Sequence, residues 1–290
     1  MLKEIAYHDG VWGDPSQMTV ALEDRGFLFG EGVYEVVYSY NHVFWGLEEH
    51  LDRLERSLRA LEMPVPCDRG VLAVLLQQAI NRLSGAVQVC YIQITRGGGQ
   101  PRSHGFQSAS GSGSLTIIAR DYNDDLSYMK DGRSAILLPD MRWGRCDIKT
   151  TNLIPNELAA TAAARAGAFA ALLHRDGFIT EANAYAVFIV RDNVLITRPA
   201  GQDILPSVCR SQMLEYAPLW GIELEQRKYT VDELLAADEV LLFSSSKHPM
   251  PIVRVEDRRI GDGRVGPMAK RIFELYEREM DKRCGKRPEK

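Results

Sequence analysis

The spacing of apolar residues predicts an amphipathic helix in the first quarter of the chain. Five leucines recur at intervals of four and three residues, the period of one helix face: Leu47, Leu51, Leu54, Leu58 and Leu61. We therefore expect a helix over residues 47–62 whose polar face carries Arg53 and Arg56. A second helix is expected over about 69–83.

Alternating and β-branched runs predict strands on both sides of these helices. Residues 1 to about 40 alternate and break in the manner of short strands, with the clearest run at 33–40 after a glycine-punctuated stretch at 26–32. Further strands are predicted at 87–95, 115–119, 133–138, 168–174, 187–191, 194–197 and 240–244. Further helices are predicted at 156–166, 207–216 and 268–280. This mixture along the whole chain indicates an α/β or α+β protein.

A polar segment without periodicity, residues 120–125, separates two parts of this mixed type. Domain boundaries usually fall in such segments. We therefore predict a small N-terminal α/β domain over 1–119 and a larger C-terminal domain over 126–290, joined by this linker.

Composition and charge exclude several classes of partner. The 290 residues include 35 Lys or Arg and 39 Asp or Glu, a formal net charge of −4, with no long run of like charge. This balance favours neither a nucleic acid nor an anionic membrane as partner. No apolar run reaches the roughly 18 residues that span a bilayer, and the first residues lack a signal-peptide pattern. A cytoplasmic protein is expected.

The cysteines and histidines give no support for disulfides or a metal site. The five cysteines are widely spaced without a C-x-x-C pair, and no two of the six histidines lie three or four residues apart. We expect the chemistry to come from an organic cofactor or from side chains alone.

Two charged residues are candidates for that chemistry. Lys149 lies between Ile148 and Leu153 at a predicted strand-to-helix junction, and lysine is rarely buried without a partner, so it is either exposed or functional. Glu181 follows a β-like run and precedes a small-residue loop suited to close approach by a ligand. On the residues alone, an exposed charge explains each of them better.

Both residues belong to an ordered set of blocks that extends over nearly the whole chain. The blocks are EDRG at 23–26, FGEGVYE at 29–35, EHLDRL at 49–54, TRG at 95–97, RSH at 102–104, RCDIKTTNL at 145–153, TE at 180–181 and GDGRVG at 261–266. In this order they resemble the fold-type IV pyridoxal-phosphate enzymes, most closely the D-amino-acid aminotransferase branch. The resemblance implies a two-domain fold with pyridoxal 5′-phosphate between the domains.

The resemblance also implies a role for three charged residues. Lys149 matches the lysine that holds the cofactor as a Schiff base and then moves the α-proton of the substrate. Glu181 matches the carboxylate that faces the pyridine nitrogen and keeps it protonated, so that the ring accepts electrons. Arg53 matches the arginine that binds the cofactor phosphate; outside the resemblance, an exposed helix face explains it better.

The phosphate is also expected at a helix N-terminus, where the loop before the predicted helix at 207–216 matches the family's position. The usual pattern there is Gly-Ile/Val-Thr-Arg, whereas this chain has Ser207-Val208-Cys209-Arg210 and lacks a hydroxyl at Cys209. Backbone donors of Val208 and Cys209 survive that change. Ser244 and Ser245, with Ser246, match small hydroxyl residues near the phosphate or substrate and are expected to compensate.

Two further departures lie near the expected site. After Glu181 the family usually has Gly-Ser-Ser-Ser-Asn-Val-Phe, but this chain has ANAYAVF over 182–188, which lacks those serines. At Lys247-His248 the family has a Ser/Thr-Glu pair. The two added groups of positive charge are expected to alter which acid is accepted.

Substrate selection is implied at three residues that match a carboxylate-binding set. Tyr34, Arg102 and His104 match the phenol, guanidinium and imidazole that orient the α-carboxylate of a D-amino acid, so that its α-hydrogen faces the lysine. Without the resemblance, Arg102 and His104 are explained as an ordinary exposed loop. The resemblance further implies a homodimer in which this loop reaches the other subunit's site.

The sequence therefore predicts an aminotransferase that moves the amino group of a D-amino acid, of the D-alanine or D-glutamate type, to a 2-oxo acid through a pyridoxamine form of the cofactor. Two alternatives share the implied fold: a branched-chain L-amino-acid aminotransferase and aminodeoxychorismate lyase, the latter kept open by the altered loop at 182–186. A non-enzymatic protein would be expected to lack Lys149 or Glu181, and both are present.

Overall fold

The computed structural model describes residues 3–99, 101–106, 113–123 and 125–286, without the side chains of Lys247 and His248. The described residues form two compact units. The first contains the residues up to 123, together with 148–152 and those from 280 onwards, and the second contains 125–147 and 153–279. The predicted domain limits assigned residues 148–152 to the C-terminal domain, and the predicted linker includes Asp124, which lies outside the described residues.

The first unit is built on an antiparallel sheet of six described strands. Its strands are β1 (Glu4–His8), β2 (Val11–Gly13), β3 (Gly32–Tyr40), β4 (Val43–Phe44), β5 (Val87–Thr95) and β6 (Ser114–Asp121), in the order β2-β1-β6-β5-β3-β4. The last strand continues two residues beyond the prediction, into the expected linker, because Asp121 still pairs with Gln88 of β5.

Three helices accompany this sheet, α1 (Arg25–Phe29), α2 (Leu47–Ala60) and α3 (Arg69–Asn81), with a short 3-10 helix at Pro15–Gln17. Leucines of α2 and α3 pack with alternate residues of β5 in one apolar core. The expected helices over 47–62 and 69–83 are confirmed. Helix α1 lies where short strands were predicted, because Asp24 caps the amides of Gly26 and Phe27 and Gly30 ends the helix at φ +67°.

The second unit contains a mixed sheet of nine described strands. They are β7 (Arg133–Pro139), β8 (Ala170–Arg175), β9 (Phe178–Ala182), β10 (Ala186–Arg191), β11 (Val194–Thr197), β12 (Leu224–Gln226), β13 (Glu239–Ser244), β14 (Lys247–Val255) and β15 (Arg258–Arg259). The main order is β12-β11-β10-β13-β14-β7-β8-β9, and β15 pairs with β14. Strand β14 was not predicted because Pro249 and Pro251 weaken its strand pattern, and β12 has only three residues.

Five helices belong to this part of the chain: α4 (Tyr128–Asp131), α5 (Ile154–Arg165), α6 (Val208–Leu219), α7 (Val231–Leu235) and α8 (Pro267–Cys284), whose residues from Met280 are grouped with the first unit. Helix α5 begins two residues before the prediction because Pro155 lies in its first turn, where a missing amide costs nothing. Strands β7 and β8 are parallel and are joined through α5. The long chain between β7 and α5 contains Lys149.

The fold is the mixed α/β type that the sequence predicted. Of the helices that the structure describes, none is both long and apolar enough to cross a membrane.

Candidate active site

Lys149 is held by its backbone along strand β3. Its amide donates to Ser57 Oγ at 3.2 Å, and its carbonyl accepts from the amide of Tyr34 at 3.0 Å. The next residue, Thr150, forms an isolated bridge with Val33. The half-buried side chain places Nζ 4.1 Å from the centre of the Tyr34 ring. The first unit therefore brings together two of the predicted residues, Lys149 and Tyr34.

A buried charged group lies next to this pair. Arg53 donates from Nε and Nη2 to the two oxygens of Glu35, each at 2.7 Å, and His50 Nδ1 donates to Glu35 Oε2 at 2.7 Å. The prediction that Arg53 lies on the polar face of α2 is wrong, since only 4% of the residue is exposed. The face formed by His50, Arg53 and Ser57 is buried because it contacts β3; Arg56 is exposed as predicted.

The charges in this group alter the proton affinities of its members. Burial alone would raise the pKa of Glu35, but Arg53 and His50 hold that pKa well below its ordinary value. Burial lowers the pKa of His50, and the nearby positive charges of Arg53 and Lys149 act in the same direction, against the opposing effect of Glu35. The group is therefore an ionised Glu35 and Arg53 with a neutral His50 at pH 7.

Arg102 and His104 lie on an exposed loop beside the aromatic ring of Phe29. The Arg102 guanidinium is 4.8 Å from the centre of this ring, and the His104 ring is 5.6 Å from it, centre to centre. Within the described part of the chain, no carboxylate lies within ion-pair distance of Arg102. The structure therefore places these two predicted residues together, with an unneutralised guanidinium open to solvent.

In the second unit, Glu181 is the fourth residue of β9 and is almost fully buried. The sequence pattern had placed it just after a strand. Its carboxylate accepts from the amide of Leu205 at 3.2–3.3 Å and forms an ion pair with Arg142. Burial raises the pKa of Glu181 above its ordinary value, although Arg142 and the Leu205 amide act in the opposite direction.

Arg142 was missed by the sequence prediction. It follows β7 and binds Asp140 through Nε at 2.8 Å and Nη2 at 2.7 Å, while Asp140 also accepts from Thr180 Oγ1 at 2.9 Å. Its position was detectable, because Asp140 and Arg142 alternate directly after an apolar strand, where two charges in sequence are most easily buried if they are paired. The Asp140–Arg142 pair fixes the side of Glu181 that faces β7.

The loop that contains Leu205 leads directly into α6. Ser207 caps this helix by accepting from the amide of Arg210 at 3.3 Å, and Val208 and Cys209 form its first, buried turn. An N-terminus of this kind is a site for an anion. The hydrogen bond from Leu205 to Glu181 therefore connects a buried carboxylate to a helix N-terminus.

The remaining predicted residues lie at the end of β13. Ser244 Oγ is 3.3 Å from Ser246 Oγ, and all three serines from Ser244 to Ser246 are half-buried. The loop at 182–186 is tied to its own unit, since Asn183 accepts from the amide of Ala171 at 3.0 Å. The side chains of Lys247 and His248 lie outside the description.

Comparison with known proteins agrees with this arrangement. The family model for amino-transferase class IV matches residues 32–255. The D-alanine aminotransferase of Listeria monocytogenes serotype 1/2a (strain 10403S) is 35% identical, with 92% of this chain and 93% of that protein covered. The D-alanine aminotransferase of Staphylococcus aureus (strain MSSA476) is 29% identical, with 96% and 98% covered.

Solved structures show the same fold. The branched-chain amino acid aminotransferase of T.th. with pyridoxamine 5′-phosphate aligns with a TM-score of 0.86 at 22% identity, covering 98% of this chain and 95% of that one. The branched-chain amino acid aminotransferase from Escherichia coli aligns with a TM-score of 0.85 at 22% identity, covering 100% and 97%. The chain therefore belongs to the class IV aminotransferase family and is a pyridoxal-phosphate-dependent aminotransferase of fold type IV.

Proposed function

We propose that the enzyme transfers the amino group of a D-amino acid, of the D-alanine or D-glutamate type, to a 2-oxo acid. The observation that carries this proposal is the exposed pair of Arg102 and His104 beside Phe29, because the described residues offer Arg102 no carboxylate and the substrate has one. The similarity to D-alanine aminotransferases over nearly the whole chain supports it.

The second unit has groups that fit pyridoxal 5′-phosphate. Glu181 offers a buried carboxylate to a protonated pyridine nitrogen, and the N-terminus of α6 offers backbone amides to a phosphate. The hydrogen bond from Leu205 ties the two together. When bound, this cofactor withdraws electrons from the α-carbon of the amino acid attached to it.

Lys149 would carry the cofactor and then move the substrate proton. Its Nζ takes the proton from the α-carbon of the substrate, and the 4.1 Å contact with the face of Tyr34 favours the resulting ammonium ion. The two hydrogen bonds of its backbone, to Ser57 and Tyr34, fix where the side chain begins. Small displacements of such a group reduce the rate strongly.

Glu181 would keep the pyridine nitrogen protonated. A buried carboxylate pairs strongly with a positive charge placed beside it, and its raised pKa falls when that charge arrives. Arg142 competes for the same carboxylate, and Asp140 offsets the positive charge of Arg142. We infer that this balance leaves Glu181 anionic while limiting how strongly it binds the proton of the ring.

The phosphate would be bound by Arg53 together with the amides of Val208 and Cys209. Arg53 uses Nε and Nη2 to bind Glu35, so a phosphate would contact another part of the guanidinium. Glu35 then orients Arg53. Ser244 and Ser245 would add hydroxyl donors in place of the threonine that Cys209 replaces.

Tyr34, Arg102 and His104 would bind the α-carboxylate. We propose that the enzyme is a homodimer in which the loop with Arg102 and His104 serves the site of the other subunit. This arrangement agrees with the exposure of the loop in the single chain.

Steady-state kinetics with both enantiomers of each donor test this function. We would compare kcat/KM for D- and L-alanine and D- and L-leucine with 2-oxoglutarate as acceptor, and for D- and L-glutamate with pyruvate as acceptor. The proposal expects transfer from D-alanine or D-glutamate and little from any L-amino acid. A preference for L-leucine would support the branched-chain alternative instead, and release of pyruvate from aminodeoxychorismate without an acceptor would support the lyase.

A further inference from the structure

Arg25 binds the loop that contains Arg102 and His104 through two backbone carbonyls. Its Nη1 donates to the carbonyl of Ser103 and its Nη2 to the carbonyl of Gly105, each at 3.0 Å. These two carbonyls flank His104. The Arg25 guanidinium also lies 4.6 Å from the centre of the Phe29 ring, the ring that Arg102 and His104 contact.

The loop has little other support in its backbone. Between described residues, no backbone-to-backbone hydrogen bond reaches residues 101–106, and they form no helix or strand. The other contact is that of Phe106, whose ring centre lies 4.3 Å from the Arg96 guanidinium. The position of the loop thus depends on two arginines.

Arg25 is itself fixed by a chain of charged contacts. Its Nε donates to Glu31 at 2.8 Å, and Arg96 donates to the same carboxylate oxygen at 2.8 Å. Arg96 in turn donates to the carbonyls of Leu61 and Glu62 at 2.7 and 2.9 Å, directly after α2. The loop is therefore connected to the core of the first unit through Arg25, Glu31 and Arg96, all of which are mostly buried.

We propose that Arg25 is a positioning residue for substrate recognition: it holds the 101–106 loop so that Arg102 and His104 together face the α-carboxylate. This inference rests on the proposed function. Arg25 does not itself bind the substrate, because its donors are used by Ser103, Gly105 and Glu31. A guanidinium suits this task since it offers several donors in a fixed plane, whereas a lysine ammonium donates from a single point.

The first test compares Arg25→Met and Arg25→Lys with the wild-type enzyme. Both changes should raise KM for D-alanine about ten- to hundredfold, because a displaced binding group loses alignment, while kcat changes much less. The absorbance of the bound cofactor and Tm should stay close to wild type in Arg25→Lys, which keeps a charge beside Glu31. Arg82→Met is the matched control, since Arg82 stacks on Trp12 at 4.0 Å in the same unit without touching the loop.

A double-mutant cycle with Arg102→Leu shows whether Arg25 acts through the loop. If it does, the double variant should have nearly the KM of Arg102→Leu alone, because the two changes disable the same contact. Full additivity of the two effects would overturn the inference. So would an unchanged KM in both Arg25 variants, or a loss of Tm and kcat with KM unchanged, which would identify a purely structural residue.

The same cycle separates this inference from the proposed function. If Arg102→Leu raises KM for D-alanine but the Arg25 variants do not, only the positioning role of Arg25 fails. If Arg102→Leu leaves D-alanine kinetics unchanged, the proposed carboxylate site fails, and the inference about Arg25 fails with it.

Discussion

Arg53 donates two hydrogen bonds of 2.7 Å to Glu35 where at most 5% of either side chain is exposed. The pair joins helix α2 to strand β3, among apolar residues that include Val33, Val37 and Leu54. A buried ion pair adds little net stability over an apolar one, but removing one partner leaves a charge without its counter-ion. The pair therefore makes the fold dependent on the residue proposed to bind the phosphate.

Glu35→Gln should destabilise the protein because it leaves Arg53 charged and buried without a carboxylate. The expected loss in the free energy of unfolding is about 3–5 kcal/mol, measured by urea denaturation. Glu4→Gln is the control, since Glu4 pairs with Arg120 at 3.9 Å on the surface, and it should cost less than about 1 kcal/mol. Equal stability of the two variants would mean that Glu35 is not needed to balance Arg53.

Stability should fall in two stages as the solution is acidified. Burial and nearby positive charge lower the pKa of His50 below its ordinary 6.5, so below that pH the unfolded chain binds a proton that the folded chain does not. Against the effect of burial, Arg53 and His50 hold the pKa of Glu35 well below its ordinary 4.5, so its contribution is complete above pH 4.5 and is lost below it. Measurements of Tm from pH 8 to pH 4 test this, and His50→Gln should remove the first stage. A Tm independent of pH between 6.5 and 5 in the wild type would contradict it.

Lys149→Ala should abolish amino transfer and leave the protein folded. The backbone hydrogen bonds of residue 149 survive the change, and the lost contact with Tyr34 is worth roughly 0.5–2 kcal/mol. Activity and Tm would be measured beside the surface control Lys130→Ala, which should match the wild type in both. Full activity of Lys149→Ala would remove the central catalytic assignment.

Glu181→Gln should reduce turnover by about tenfold or more, on the scale of lost electrostatic stabilisation. The amide has no charge to keep the pyridine nitrogen protonated, so the absorbance of the bound cofactor should also titrate at lower pH. Glu239→Gln is the matched control, because Glu239 is a buried carboxylate of the same unit that accepts from the amides of Met268 and Ala269. It should affect stability and not turnover. Unchanged turnover in Glu181→Gln would mean that another group protonates the ring.

The sequence predicted most long elements because their apolar periods were regular, as in the leucines of α2. It placed Arg53 wrongly because half of the buried face of that helix is polar, with His50, Arg53 and Ser57 spaced three and four residues apart. One signal was available in β3, where Glu35 takes an inward position between Val33 and Val37. An acid at a core position requires a buried cation, but the sequence pattern does not show which one.

Two other features depended on contacts that no local pattern contains. Helix α1 was missed because Gly26 and Gly30 are typical of turns, whereas the cap from Asp24 stabilises the intervening residues as a short helix. The support of the 101–106 loop comes from Arg25, almost eighty residues earlier, so its role is visible only in the fold.

The most direct test of the account is the absorbance of the purified, cofactor-loaded enzyme after addition of one amino acid without an acceptor. D-Alanine or D-glutamate should remove the visible absorbance of the bound cofactor, because the amino group is transferred to it, while L-leucine and L-glutamate should leave it unchanged. Loss of absorbance with L-leucine and not with either D-amino acid would contradict the proposed D-specificity.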